Sequence, residues 1–214
     1  MIHSALADIN RRYFLGRSLA ALGGLTALHL GAGLLTGCGT KGSSISSLAP
    51  ASTGEEKLSW QTVITSKDEP GEPLLVAGRI FAADGKTPAA GLTLYVYHTD
   101  NRGLYSEEDG NGREPKPRLK GVMRTDAEGR YEFRTIKPTP YPGTTNRRHI
   151  HAKVYGAGGA EQWLDSFVFA DDPLVPADVR AQFAPLGKYS PLMVSTRGGD
   201  GLIRCEHDIR LKET

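Results

Sequence analysis

Cysteine is nearly absent. The chain has 214 residues and only two cysteines, Cys38 and Cys205. Two cysteines cannot build a disulfide framework. No Cys-x-x-Cys pair occurs, which excludes a thiolate zinc ribbon. Charge of one sign is lacking too: 26 Lys+Arg stand against 24 Asp+Glu. No internal repeat is present. The longest apolar run, Ser18 to Leu35, carries His29 and several glycines and is short for a membrane span. What is present is a 39% apolar fraction, enough for the buried core of one ordinary domain.

The first residues read as an address. Asn10-Arg11-Arg12-Tyr13-Phe14-Leu15 precedes the apolar run, which ends in Leu35-Thr36-Gly37-Cys38. A charged start, an apolar middle and small residues before a cut form an export signal. The paired arginines resemble the twin-arginine (Tat) type. Leu-Thr-Gly-Cys resembles the lipobox of bacterial lipoproteins, which implies cleavage before Cys38 and a lipid anchor on it. The alternative is an uncleaved transmembrane anchor. Cleavage would remove Arg11, Arg12, Arg17 and Asp8, leaving 23 basic and 23 acidic side chains. The basic charge belongs to the signal, so no nucleic-acid footprint is expected. Three regions follow: 1–37 as signal, 38–57 as lipidated cysteine and Gly/Ser-rich tether, and 58–214 as the folded domain.

The domain reads as all-β. Strands are expected over Leu74–Ala82, Leu92–His98, Val122–Thr125, Tyr131–Ile136, His149–Tyr155, Trp163–Phe169, Met193–Thr196 and Leu202–Leu211. Asp126–Gly129 and Gly198–Gly201 are hairpin signals. One short helix is expected near Pro176–Phe183. Short strands with turns between them predict a β-sandwich. Cys205 reads as a buried thiol in a strand. Two stretches, Thr99–Lys120 and Lys137–Arg148, are too long for simple turns, and long loops on a β scaffold carry function.

His149-Ile150-His151 sits in an expected strand. Residues two apart point to one face, so both imidazoles share a side. Such a pair can bind one metal ion or be structural. Tyr105, in Gly103-Leu104-Tyr105-Ser106, lies just past a strand end. Tyr141 lies between Pro140 and Pro142, which stiffen its loop. Taken singly, each tyrosine reads as a packing residue.

Four segments taken together resemble the intradiol ring-cleavage dioxygenases, the family of catechol and protocatechuate 3,4-dioxygenases. They are Tyr97-His98-Thr99-Asp100 through Ser106, Arg124 through Ile136, Lys137-Pro138 through Tyr141-Pro142, and His149-Ile150-His151. The resemblance implies a non-haem Fe(III) cofactor held by Tyr105, Tyr141, His149 and His151, with Tyr141 also taking a substrate proton. Two phenolates suit ferric iron, a hard cation that favours anionic oxygen, and argue against zinc. It implies insertion of O2 into a catechol-like aromatic and cleavage between the hydroxylated carbons to a cis,cis-muconate-type diacid. It also implies a homo-oligomer. The length is that of a stand-alone catalytic sandwich of the protocatechuate type, without the helical domain of the catechol type.

Two positions depart from the family pattern. Asn146 stands where many members carry Arg; Arg147 or Arg148 could steady charge on the substrate only with a shifted loop, and either reads equally as a surface charge. Ser166 stands where many carry Gln. His98 and Asp100 either line the pocket or simply end a strand. A ligand-binding envelope lipoprotein on the same sandwich is the rival reading, since fold alone does not decide function.

Overall fold

The computed structural model describes residues 58–106, 116–156 and 159–213. They lie in a unit spanning Lys57–Thr214. The expected export signal, Cys38 and tether fall outside the described residues. Among those described, no helix is long and apolar enough to cross a membrane.

The strands are β1 Gln61–Val63, β2 Pro73–Phe81, β3 Thr93–His98, β4 Leu119–Arg124, β5 Arg130–Ile136 and β6 His149–Tyr155. They continue with β7 Glu161–Trp163, β8 Phe167–Phe169, β9 Leu192–Met193, β10 Ser195–Arg197, β11 Ile203–Glu206 and β12 Ile209–Arg210. One six-stranded sheet runs β1-β5-β2-β11-β10, with β12 also on β2; the other runs β4-β3-β6-β8-β9, with β7 also on β6. Alternation places Leu74, Val76, Tyr131 and Phe133 of the first sheet against Leu94, Val96, Ile150 and Val154 of the second. Each such fully buried side chain contributes about 1.5–3 kcal/mol. This is the expected all-β sandwich. Helix α1, Ala177–Phe183, follows Pro176 at its N-cap and anchors through the buried Phe183.

Three expected strands are broken, each for a physical reason. Trp163–Phe169 is two strands, because Trp163 faces Lys153 while Val168 faces His149. Four steps along β6 are thus matched by five on its partner, a β-bulge at Leu164–Ser166. Met193–Thr196 divides at the exposed Val194, since β9 pairs with β8 and β10 with β11 of the other sheet. Leu202–Leu211 is interrupted at His207 and Asp208. There the Asp208 carboxylate accepts the Arg79 amide at 2.9 Å, in place of a ladder carbonyl. Gly78 makes this close approach possible: a Cβ there would stand 1.9 Å from the His207 carbonyl oxygen. Strand β1 and a 3-10 turn over Ala184–Tyr189 were not expected from the sequence.

Candidate metal centre

Strand β6 alternates: Ile150, Ala152 and Val154 enter the core, while His149, His151 and Lys153 occupy the opposite face. The two imidazoles therefore share the face of the second sheet turned away from the core. Tyr97 is the register partner of His151 and stacks on it, with centroids 4.7 Å apart and planes 17° apart. That contact fixes the plane of the His151 ring.

The two tyrosines arrive on loops. Residues 99–106 leave β3 and carry Tyr105. Residues 137–148 leave β5, cross from the first sheet to the second, and carry Tyr141. Their phenolic oxygens meet in a very short contact. The Tyr141 Oη lies 3.2 Å from His149 Nε2 and 3.3 Å from His151 Nε2, and the two Nε2 atoms are 3.1 Å apart. Four donors from three segments thus converge on one point.

The electrostatics suit a cation. Burial pushes the His149 imidazole below its ordinary range, and burial plus the neighbouring His149 push His151 down to about 3. Both rings are therefore neutral near pH 7. The Arg147 carbonyl lies 2.7 Å from His149 Nδ1 and can only accept, so Nδ1 carries the hydrogen. The Nε2 lone pair of His149 is left aimed at the cluster. Among the described residues no group of three or more His, Cys, Asp or Glu is arranged to hold a metal ion. The donor set depends on its phenols. Two donors about 2.1 Å from one ion at a right angle stand roughly 3 Å apart, close to the spacings here. Hard phenolate oxygens and neutral imidazoles fit Fe(III).

Arg147 and Arg148 immediately precede His149 and are half-buried. The Arg147 Nε donates to the Leu174 carbonyl at 3.0 Å, and the Arg148 amide donates to the Asp172 carboxylate at 2.6 Å. Asp172 is buried and also accepts the Leu174 amide. It staples the start of β6 to the loop after β8. Ser166 falls in the β-bulge and Asn146 in the Tyr141 loop. His98 does not line an open pocket. It is fully buried, its Nδ1 donating to the Thr99 carbonyl and its Nε2 accepting from Thr135 Oγ1, both at 2.7 Å. Asp100 is buried as well, at the root of the Tyr105 loop.

Sequence reasoning misses three contributors. Tyr97 was detectable, because strand alternation puts it two residues from Tyr95 on the polar face. Asp172 and Thr139, whose carbonyl and amide meet Thr99 Oγ1 and the Asp100 carbonyl, lie in loops whose partners are distant in sequence, and no local signal marks them.

A family model described as "Dioxygenase" matches residues 50–212. Catechol 1,2-dioxygenase 1 of Acinetobacter lwoffii is 30% identical over 151 residues, which cover 63% of this chain and 47% of that protein. Catechol 1,2-dioxygenase 2 of the same organism is 39% identical over 162 residues, 63% of this chain and 56% of that one. The chain thus spans about half the length of these curated relatives. Among solved structures, the dioxygenase domain of a dioxygenase–carbohydrate-binding fusion from Streptomyces sp. SirexAA-E superposes with a TM-score of 0.55 at 26% identity. The match covers 71% of this chain and 87% of that domain. Sandwich and relatives together define a dioxygenase type of domain. The chain belongs to the intradiol ring-cleavage dioxygenase family.

Proposed function

We propose that this protein is a non-haem Fe(III) dioxygenase that cleaves a catechol-type aromatic between its two hydroxylated carbons, giving a cis,cis-muconate-type diacid. The convergence of Tyr105, Tyr141, His149 and His151 on one point carries this reading. When bound, the iron would polarise the diol and orient it for attack by O2.

The chain's own groups divide the remaining work. Tyr105 is 9% exposed, packed between Tyr97 and Tyr141, and serves as the fixed oxygen donor. Tyr141 is half-buried on a loop tip, so its Oη is the one able to move and accept one of the two protons that the incoming diol loses, the other passing to solvent hydroxide. His149 and His151 remain neutral and hold position through the Arg147 carbonyl and the Tyr97 ring. Arg147 and Arg148 adjoin His149 in the chain and would supply positive charge to balance the dianionic form of the substrate, with Arg147 Nε donating to the Leu174 carbonyl.

Two further parts of the proposal concern place. The N-terminal Tat-type signal and lipobox support export and anchoring through a lipid on Cys38, facing the periplasm. Cys38→Ser would then move the protein from the membrane fraction to the soluble one. Assembly as a homo-oligomer is proposed from the family resemblance and is checked by sedimentation of the loaded protein.

The deciding experiment is a visible absorption spectrum with iron analysis, followed by oxygen uptake on catechol. A tyrosinate-to-iron band that shifts on adding catechol, with about one O2 consumed per diol cleaved, is the expected result. A folded protein that stays colourless after ferric loading would defeat the proposal.

A further inference from the structure

The two tyrosine loops hang from different sheets. Tyr105 follows β3 of the second sheet, and Tyr141 follows β5 of the first. The β3–β6 ladder ends at Tyr97–His151, eight and ten residues from Tyr105 and Tyr141, yet their phenolic oxygens touch. Something else must fix the gap, and the contacts between the loops identify it.

They meet at Thr99, Asp100 and Gly103 on one side and Thr139 and Pro140 on the other. Thr99 Oγ1 donates to the Thr139 carbonyl at 2.7 Å, and the Thr139 amide donates to the Asp100 carbonyl at 3.3 Å. Gly103, at φ +82°, lies so close that a Cβ would stand 2.2 Å from the Pro140 carbonyl oxygen. The shape of the 100–104 turn depends on the Asp100 carboxylate. Its Oδ1 accepts the amides of Arg102 at 2.8 Å and Leu104 at 3.1 Å. Its Oδ2 accepts Arg102 Nε and Nη2 at 3.0 and 2.8 Å, with Arg118 3.7 Å away. The Asp100 amide also donates to the Leu104 carbonyl at 2.8 Å. A carboxylate only 3% exposed is costly unless it is this fully bonded. A surface turn of this shape needs no buried charge, and the exposed Asp84 makes a comparable turn through the amides of Lys86 and Thr87.

We propose that Asp100 is a positioning residue: it holds the Tyr105 loop against the Tyr141 loop at the spacing that lets both phenolic oxygens reach one ferric ion. The proposal rests on the reading of Tyr105, Tyr141, His149 and His151 as iron ligands. Asp100 touches none of the reacting atoms. It acts through the Arg102 and Leu104 amides on the backbone one residue before Tyr105.

The test uses the full chain loaded with ferric iron. It reads the tyrosinate charge-transfer band, the rate of iron release to a chelator, and the melting temperature. Asp100→Ala is expected to displace the band and speed iron release about tenfold or more. Asp100→Asn keeps an oxygen for the two amides and gives up only the pair with Arg102, whose half-exposed side chain can turn to water, so it is expected to restore the wild-type band. Asp84→Ala, the turn away from the site, should lower the melting temperature without moving the band. Gly103→Ala and Thr99→Val leave Asp100 intact but separate the loops, and both should displace the band. Should Asp100→Ala fail to fold, these two variants decide. The proposal is overturned by an Asp100→Ala protein that melts lower yet keeps the wild-type band and release rate. A band as displaced in Asp100→Asn as in Asp100→Ala also overturns it, because the effect would then belong to charge. So does an unchanged band in both loop variants. A wild-type chain with no tyrosinate band refutes the ligand assignment, and this proposal with it.

Discussion

His149 and His151 serve a cation only while neutral, and burial keeps them so: His151 is pushed down to about 3. Burial lowers the proton affinity of His149 as well, so both rings favour the neutral form that can bind a metal. Tyr105→Phe removes one anionic oxygen while keeping the ring that packs between Tyr97 and Tyr141. The folded protein should remain, with the charge-transfer band weakened or lost and oxygen uptake down by at least about 100-fold. Another buried imidazole, His207, lies away from the site with its ring 4.4 Å from Phe167. Burial lowers its proton affinity to about 4, against an unfolded value near 6.5. Above pH 6.5 both folded and unfolded forms are neutral there. As pH falls from 6.5 towards 4, only the unfolded chain gains the proton, so stability declines, by at most about 3 kcal/mol from this residue. Urea midpoints followed over that window should fall less steeply in His207→Gln than in wild type. Parallel curves would remove His207 from the acid response.

Elements translate these residues into a site with unequal visibility in the sequence. The His149–Tyr155 strand is legible end to end, because a period of two is local and every second residue enters the core. The hairpin at Asp126–Gly129 is equally legible, since the Asp126 carboxylate accepts the Glu128 and Arg130 amides and Gly129 takes a positive φ. The bulge at Leu164–Ser166 and the break at His207–Asp208 are not, because both are set by the register of a partner strand. The meeting of the tyrosine loops lies further still from local signals: Thr99 and Thr139 are 40 positions apart and ordinary loop residues. Tyr105 and Tyr141 could be paired only through the family resemblance, never from the chemistry of either loop alone. Gly78 measures how tightly the β2–β12 region is built. Gly78→Ala would drive its Cβ into the His207 backbone, atoms that no rotamer change can move. A loss of about 3 kcal/mol or more is expected in chemical denaturation. A loss below about 1 kcal/mol would mean that β12 yields easily.

At the scale of the whole molecule, the sandwich and the proposed centre should stabilise each other. The core sits between the sheets, whereas the donors lie on the outer face of one sheet under loops drawn from both. A cation bound there would tie the β5–β6 crossover to the end of β3, a long-range link beyond the hydrogen-bonded clamp. The unfolded chain holds its tyrosines and histidines far apart and binds the ion weakly, so ferric iron should act as a ligand of the folded state alone. At a free concentration about 1,000 times its Kd, that linkage adds about 4 kcal/mol. For a domain of this size, 1 kcal/mol moves the melting temperature by about 2–4 °C, so iron removal should lower it by roughly 10 °C. Scanning calorimetry of the loaded and chelated forms measures the difference. In Tyr105→Phe the same comparison should give a much smaller gap, because the linkage requires the donor and not merely the fold. Equal melting temperatures for loaded and chelated wild type, with iron shown to be bound, would place the ion on a surface the folding reaction does not involve.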